Sequence, residues 1–285
     1  MFNEKVRDLV LGALVADAYC LGSHWVYDEE QLKNLNTNWE TLNKACSIWH
    51  KGKLAGEFTH YGDQTYLLYK FLEDKESFTV SEYVTYWYDR MKIYNGYVDG
   101  STRDTIVNIE AGSEVPCGAV SHDLSIIGRI TPLLKVSNSK EEFLINIQQF
   151  VKATHNDVTI LESAHFFAAL LWEVLEGKDI VPTMTTLKEK YSTIIQSWVN
   201  DGLDSKEEDS FEAIRRFGPA CGVDGGFAGV IHILAKYSSF KEAMQANAKA
   251  GGDNSARAMI VASLLVARYG VNKIPQEWTK IKVHI

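Results

Sequence analysis

Proline and low-complexity sequence are both scarce in this chain. Only 5 of the 285 residues are proline, and no stretch rich in serine, proline or glycine separates one part of the chain from another. Domain boundaries usually fall in such linkers, and no internal repeat of fixed period is present either. The hydrophobic content of 46% is ample for a sizeable core. We therefore expect a single domain spanning residues 1–285.

Cysteine is also sparse, and the four cysteines are not arranged for a disulfide framework or a zinc site. Cys20, Cys46, Cys117 and Cys221 are scattered, with no CxxC pair. In a chain of this size that pattern is typical of reduced thiols, so we expect a cytoplasmic protein. The N-terminal segment mixes charges with apolar residues at helical spacing, which favours an ordinary helix over a signal peptide or a membrane span.

Positive charge is in the minority. The formal net charge is −8, and no basic stripe is present. Because an acidic chain repels a polyphosphate backbone, nucleic acid is not expected as a partner. A membrane is not expected either, since the N-terminal segment is predicted to be an ordinary helix. The same acidity is compatible with a site for a divalent cation, although many proteins are acidic for solubility alone.

No run of residues alternates between apolar and polar side chains, as a half-buried strand would require. The dominant apolar period is 3.6 residues, which is typical of helices. We predict an all-α protein with at least nine helices, near residues 6–14, 64–72, 82–92, 140–154, 157–177, 185–199, 205–216, 227–237, 239–249 and 255–269.

Three acidic residues stand at the start of predicted helices. Asp63 follows HYG, Asp157 follows THN, and Asp253 follows two glycines; Gln64 and Asn254 adjoin the first and the last. Each carboxylate can simply cap its helix, because a short side-chain oxygen accepts a hydrogen bond from a first-turn amide. Alternatively, the three helix starts converge on one cleft, where carboxylates would bind a hard cation and helix amides a phosphate. These residues alone leave both interpretations open.

Four motifs, in this order and at this spacing, resemble the ADP-ribosylglycohydrolase family, whose relatives include the J-type lens crystallins. They are GALVADA at 12–18, HYGDQT at 60–65, THND at 154–157 and AGGDNSARAMIVASLLVARYG at 250–270. The resemblance spans nearly the whole chain and is nearer to the crystallin-like branch. It implies an orthogonal, all-α, multi-helix domain with a central cleft. It also implies two magnesium ions and hydrolysis of an N- or O-glycosidic bond of ADP-ribose.

The metal-binding positions of this family are only partly kept. Where the family has Thr-Asp-Asp, residues 62–64 are Gly-Asp-Gln; where it has Asp-Thr-Asp-Thr, residues 253–256 are Asp-Asn-Ser-Ala; and His24 stands at the place of an early Glu. Asp63 and Asp253 remain, and two carboxylates offset the charge of two dications poorly. We therefore predict one weakly held Mg²⁺ on Asp63 and Asp253, or none.

The predicted site combines these positions with others that the resemblance suggests. Asp63 and Asp253 are the predicted catalytic residues, which would orient or activate a water. The predicted substrate-binding residues are His24, Gln64, Asp123, Asp157 and Asn254. Two of these have ordinary alternatives, since His24 could be a hydrogen-bonded core histidine and Asp157 a helix cap. Cys221, in the glycine-rich segment 217–229, has no His or Lys nearby in sequence and is not expected to be a reactive thiolate.

The functional prediction has two forms. In the first, the protein is a hydrolase that cleaves an N- or O-glycosidic bond of an ADP-ribose-like group, and its partner is an ADP-ribose-like small molecule or an ADP-ribosylated protein. In the second, it keeps the fold and the cleft but performs no hydrolysis, and serves as an ADP-ribose-binding or structural, crystallin-like protein.

Overall fold

The computed structural model describes residues 2–285 and contains no β-strand within that range; two isolated bridges join loop residues. The predicted all-α class is confirmed. The α-helices are α1 Asn3–Cys20, α2 Glu29–Lys33, α3 His60–Phe71, α4 Val80–Met91, α5 Gly100–Glu110, α6 Ser125–Gly128, α7 Lys140–Thr154, α8 Val158–Leu175, α9 Ile180–Leu187, α10 Thr193–Asp204, α11 Ser210–Phe217, α12 Val223–Lys236, α13 Phe240–Lys249 and α14 Asn254–Tyr269.

Several helix predictions were wrong in extent, and some helices, α5 among them, were not predicted. The helix expected at 185–199 is two helices, α9 and α10, with an extended residue at Tyr191 between them. The predicted helix at 64–72 begins earlier, at His60, because the Thr59 hydroxyl caps it by accepting from the Tyr61 amide. Helix α5 was missed because its sequence, GSTRDTIVNIE, has little apolar periodicity; the Asp99 side chain caps it through the Thr102 amide.

The centre of the fold is α14, in which every residue from Asn254 to Val266 is buried. It packs most extensively against α1, and also against α6, α8, α12 and α13. The α1–α14 contact is close because α1 carries Gly12, where an added Cβ would lie 2.7 Å from a methyl carbon of Val266. Gly12 of the GALVADA segment therefore lies on the face of α1 that meets α14.

Helix α8 is the most apolar helix of the described chain. By length and composition alone it could cross a membrane, but 67% of its residues are buried inside the fold. It packs against α7, α9 and α14, so it has the surroundings of a core helix.

Two glycines shape the entry to α14. Gly251 and Gly252 both have left-handed backbones, with φ of +65° and +61°. The turn is pinned to the segment after α1: the Trp25 amide donates to the Gly252 carbonyl and the Gly252 amide to the Val26 carbonyl, both at 2.8 Å. A Cβ on Gly252 would lie 2.2 Å from the Pro219 carbonyl oxygen. Glycine is required here because three chain segments approach one another closely at the start of α14.

Candidate active site

Asp253, the N-cap of α14, is the centre of the candidate site. Its Oδ1 accepts a long hydrogen bond from the Ala256 amide, at 3.4 Å, and its Oδ2 accepts a 3.0 Å bond from the Tyr61 hydroxyl on α3. His24 Nδ1 lies 3.7 Å from Oδ1. The side chain is only 1% exposed. The carboxylate therefore joins α14, α3 and the segment that follows α1.

A second carboxyl group and a thiol lie beside Asp253. One ligand atom from each of Asp123, Cys221 and Asp253 lies within 4.8 Å of the other two. Two loops that are distant in sequence produce this cluster, because the Leu124 amide donates to the Cys221 carbonyl at 2.8 Å. The sequence predicted Asp123 as a site residue, but it gave no signal that Cys221 would join it.

Asp123 and Cys221 also line a cavity of about 310 Å³. The N-terminal residues of α5 and the N-cap of α12 form part of its wall, so two helix N-termini face the same space. Such ends carry amide donors and partial positive charge, and both favour an anion. Asp253 is buried behind Asp123 and Cys221. The remaining lining residues are Gly100, Ser101, Asp104, Ala119, Val120, Ser121, His122 and Gly222.

The paired acids hold a proton near neutral pH. Burial, together with the nearby carboxylates of Asp253 and Asp99, raises the pKa of Asp123 to about 7. Burial also raises the pKa of Asp253, although the charge of Arg257 and the Tyr61 hydrogen bond oppose that rise. Two carboxyl groups this close cannot both ionise easily, so the pair retains a proton up to about neutrality. Burial likewise raises the pKa of the Cys221 thiol, which stays protonated.

Asp63 is engaged in a different network. Its Oδ2 accepts a 2.7 Å hydrogen bond from the Lys53 ammonium and a 2.5 Å bond from the Tyr94 hydroxyl. The Asp63 and Lys53 side chains are 25% and 24% exposed, so the ion pair is partly shielded from solvent. Tyr61, two residues before Asp63 on α3, points instead to Asp253. The two predicted catalytic carboxylates thus contact different partners.

The two amides predicted to bind substrate have their side-chain oxygens occupied by protein donors. Gln64 Oε1 accepts from Trp87 Nε1 at 3.0 Å and from the Arg129 guanidinium at 2.9 Å. Asn254 Oδ1 lies 3.3 Å from His24 Nδ1, and its Nδ2 donates to the Ser23 hydroxyl at 2.8 Å. Both residues connect helices inside the fold, and both are at most 3% exposed.

His24 belongs to a buried row of histidines. Its ring stacks on Trp25 and meets the edge of His50, at centroid distances of 4.8 and 5.1 Å. His50 Nε2 lies 3.2 Å from His60 Nδ1, and His60 Nε2 lies 3.2 Å from an Asp99 carboxylate oxygen. Burial, with the neighbouring His50 and His60, lowers the pKa of His24 well below its usual value. His24 is therefore neutral, and it is enclosed rather than open to a ligand.

Asp157 is the N-cap of α8, where its Oδ1 accepts from the Thr159 and Ile160 amides at 2.8 and 3.2 Å. Asp157 therefore acts as a helix cap, and it does not line the cavity described above. A role for Asp157 in substrate binding stays a prediction.

The geometry thus divides the predicted residues into groups. One group lies around Asp253 and consists of Asp253, His24, Asn254 and Asp123. The other predicted residues contact different partners; they are Asp63, Gln64 and Asp157. The sequence did not indicate Tyr61 or Cys221 as members of the site. Tyr61 lies within the HYGDQT motif, but that motif does not indicate that its hydroxyl reaches Asp253. Cys221 approaches Asp123 only through the packing of two distant loops.

Comparison with known proteins assigns the chain to a family. A family model described as ADP-ribosylglycohydrolase matches residues 1–282. The chain belongs to the ADP-ribosylglycohydrolase family. The resemblance inferred from the four ordered motifs is thereby confirmed.

Relatives of this ADP-ribosylglycohydrolase family member include two proteins that are named crystallins. Crystallin J1A of Tripedalia cystophora is 24% identical, over 97% of this chain and 91% of its own length. Crystallin J1B of the same organism is also 24% identical, over 98% and 93%. A solved structure titled "ADP-ribosylglycohydrolase-related protein complex" superposes with a TM-score of 0.72 at 18% identity, covering 98% of this chain and 92% of that one. That likeness confirms the fold.

Metal dependence is typical of this family. Magnesium prefers carboxylate and water oxygens with free lone pairs. Asp63 is already bound to Lys53, and the Gln64 oxygen is already bound to Trp87 and Arg129. The cluster of Asp123, Cys221 and Asp253 is a possible metal site, but a thiol suits a softer ion than magnesium. The residues present therefore fit a magnesium pair poorly.

Proposed function

We propose that this protein is a hydrolase that binds an ADP-ribose-like group in the cavity beside Asp123 and cleaves its N- or O-glycosidic bond. One observation carries the proposal: a carboxyl group with a pKa of about 7 borders a cavity onto which two helix N-termini open. The helix ends supply amides for a diphosphate, and Ser101, Asp104 and Ser121 offer polar groups to ribose hydroxyls. The ligand is either a small ADP-ribose-like molecule or the ADP-ribose group of a modified protein.

Asp123 is the residue placed to transfer protons. In its neutral form it donates a proton to the departing nitrogen or oxygen, while the bond to the anomeric carbon breaks through an oxocarbenium-like state. A water then forms the new bond to that carbon and returns its proton to Asp123. Asp253 is buried behind Asp123. Its negative charge favours the protonated form of Asp123, so that Asp123 holds the proton before it is transferred to the leaving group. Asp253 is thus a positioning residue in this scheme, and a direct catalytic role for Asp63 stays a prediction.

A second function is favoured by a different observation. The Asp63 carboxylate is compensated by Lys53, and its neighbour Gln64 is committed to Trp87 and Arg129, so the family's metal-binding positions serve to hold the fold together. Two relatives of this chain are named crystallins. A non-catalytic, ADP-ribose-binding or structural role is therefore the alternative.

One pair of measurements separates these functions. Wild-type protein and the Asp123→Asn variant are assayed for release of ADP-ribose from arginine-, serine- and O-acetyl-linked substrates, and ADP-ribose binding is measured by calorimetry. We expect wild-type turnover, a loss of at least about 100-fold in the variant, and little change in binding, because the amide cannot donate the same proton. Asp201→Asn, an exposed acid on α10 that does not line the cavity, is the matched control.

The other outcomes are equally informative. Turnover that survives Asp123→Asn would remove Asp123 from the mechanism. Binding heat without turnover in the wild type would support the ligand-binding alternative. If the wild type shows neither binding heat nor turnover, the structural role is the remaining account.

A further inference from the structure

The two carboxylates retained at the family's metal-binding positions each have a protein cation nearby. At Asp63 that cation is Lys53, whose ammonium donates a 2.7 Å hydrogen bond to Oδ2. Tyr94 donates to the same oxygen at 2.5 Å. A compact ammonium and a hydroxyl thus occupy the directions from which a metal ion and its water would approach this oxygen.

At Asp253 the nearby cation is Arg257, one turn along α14. The Asp253 amide and the Arg257 guanidinium both donate to the Pro219 carbonyl, at 2.7 and 3.5 Å. The guanidinium also donates to the Gly251 carbonyl at 2.7 Å and to Asn247 Oδ1 at 2.9 Å, and it is fully buried. Arg257 is therefore held near the start of α14 by two backbone carbonyls and the Asn247 side chain. Its charge opposes the rise in the pKa of Asp253, although the two side chains form no direct ion pair.

The neighbouring amides offer no vacant position for a metal. Gln64 Oε1 already accepts two hydrogen bonds, one of them from the charged Arg129. Asn254 Oδ1 faces His24 Nδ1, and the amide nitrogen is used by Ser23. A metal ion at either amide would have to displace buried donors and leave them without partners, which is strongly unfavourable.

We propose that Lys53 and Arg257 are built-in cations that replace magnesium beside Asp63 and Asp253, so that the charge of this site is balanced by the protein itself. Either proposed function of the cavity is compatible with this charge balance. Lys53 is the partner that can be tested cleanly, because it is partly exposed and comes from a loop, whereas Arg257 also supports the entry to α14.

The test compares wild type with Lys53→Met, which keeps the length of the side chain and removes its charge. Thermal unfolding is followed with MgCl₂ up to about 5 mM and after chelation, since a ligand that binds only the folded state raises Tm. We expect no magnesium-dependent shift in wild type and a shift reversed by chelator in Lys53→Met. Lys53→Arg should behave like wild type, and Lys51→Met, an exposed neighbour, is the control.

A second readout locates the ion. Mn²⁺, used as a paramagnetic probe, should broaden the NMR signals of Tyr94 in Lys53→Met and leave them sharp in wild type, because Tyr94 contacts Asp63. Wild type that is stabilised by submillimolar magnesium, with Tyr94 broadened by Mn²⁺, would overturn the proposal even if Lys53→Met failed to fold. A folded Lys53→Met that responds to neither ion would overturn it as well, because the lysine would then not be what excludes the metal.

Discussion

Asp17, in the GALVADA segment, should make the stability of this protein depend on pH. The side chain is fully buried, and burial raises its pKa from an ordinary value of 3.8 to about 7, although hydrogen bonds from the Thr59 amide and hydroxyl oppose the rise. Because the folded state binds the proton more tightly than the unfolded chain, the free energy of unfolding falls as pH rises between those two values. The full shift corresponds to about 4 kcal/mol, of which about 3 kcal/mol falls between about pH 5 and pH 8.

The variant Asp17→Asn removes this titration and keeps a hydrogen-bonding group of the same shape. Urea unfolding of wild type and variant across that pH range should show the variant gaining about 3 kcal/mol relative to wild type at the alkaline end. The matched control is Asp8→Asn, on the same helix but half-exposed, which should follow the wild-type curve. Parallel pH profiles for wild type and Asp17→Asn would show that Asp17 is ionised in the folded protein throughout, and would refute the reasoning.

Two further substitutions test the framework of the site by urea unfolding. Gly252→Ala should cost about 3 kcal/mol or more, because it combines a left-handed backbone with a Cβ placed 2.2 Å from the Pro219 carbonyl oxygen. Gly52→Ala is its control, since Gly52 is also left-handed but has nothing within 4 Å of the added Cβ; an equal loss in both would mean that the clash is absent. Gln64→Leu should cost about 3 kcal/mol, because two buried donors lose their acceptor, whereas Gln64→Glu should lose much less by pairing with Arg129; equal losses would refute that explanation.

Apolar periodicity was a reliable guide to the fold where one helix face is buried. The predicted helix at 140–154 coincides with α7, and the one at 255–269 differs from α14 by one residue. Periodicity failed where tertiary contacts override it. The pattern of 185–199 continues through Tyr191 although the helix does not, and no glycine or proline in the segment marks the break. Helix α5, which is only partly buried, has no apolar face to detect.

The candidate site was predictable only as far as it follows sequence order. One interpretation of the sequence has the helix starts at Asp63, Asp157 and Asp253 converge on one cleft, with His24 and Asn254 among the site residues. The structure places Asp253, His24 and Asn254 together, whereas Asp63 and Asp157 have other partners. The partners that set the chemistry could not be found that way. Lys53 comes from an irregular loop, and Cys221 reaches Asp123 through a backbone pairing between two loops nearly a hundred residues apart.

The hydrogen bonds of Asp253 indicate whether helix capping alone accounts for an aspartate at this position. A capping role alone would explain the carboxylate if its best hydrogen bond went to the helix amides. Its cap bond to Ala256 is the longer one, at 3.4 Å, while the bond to the Tyr61 hydroxyl is 3.0 Å. Asp157, whose carboxylate acts as a cap, accepts bonds of 2.8 and 3.2 Å from two amides of its helix. Asp253 is instead turned toward α3, His24 and Asp123, where burial raises its pKa. Because that position weakens the cap and destabilises the charge, helix capping is an insufficient reason for an aspartate at this position.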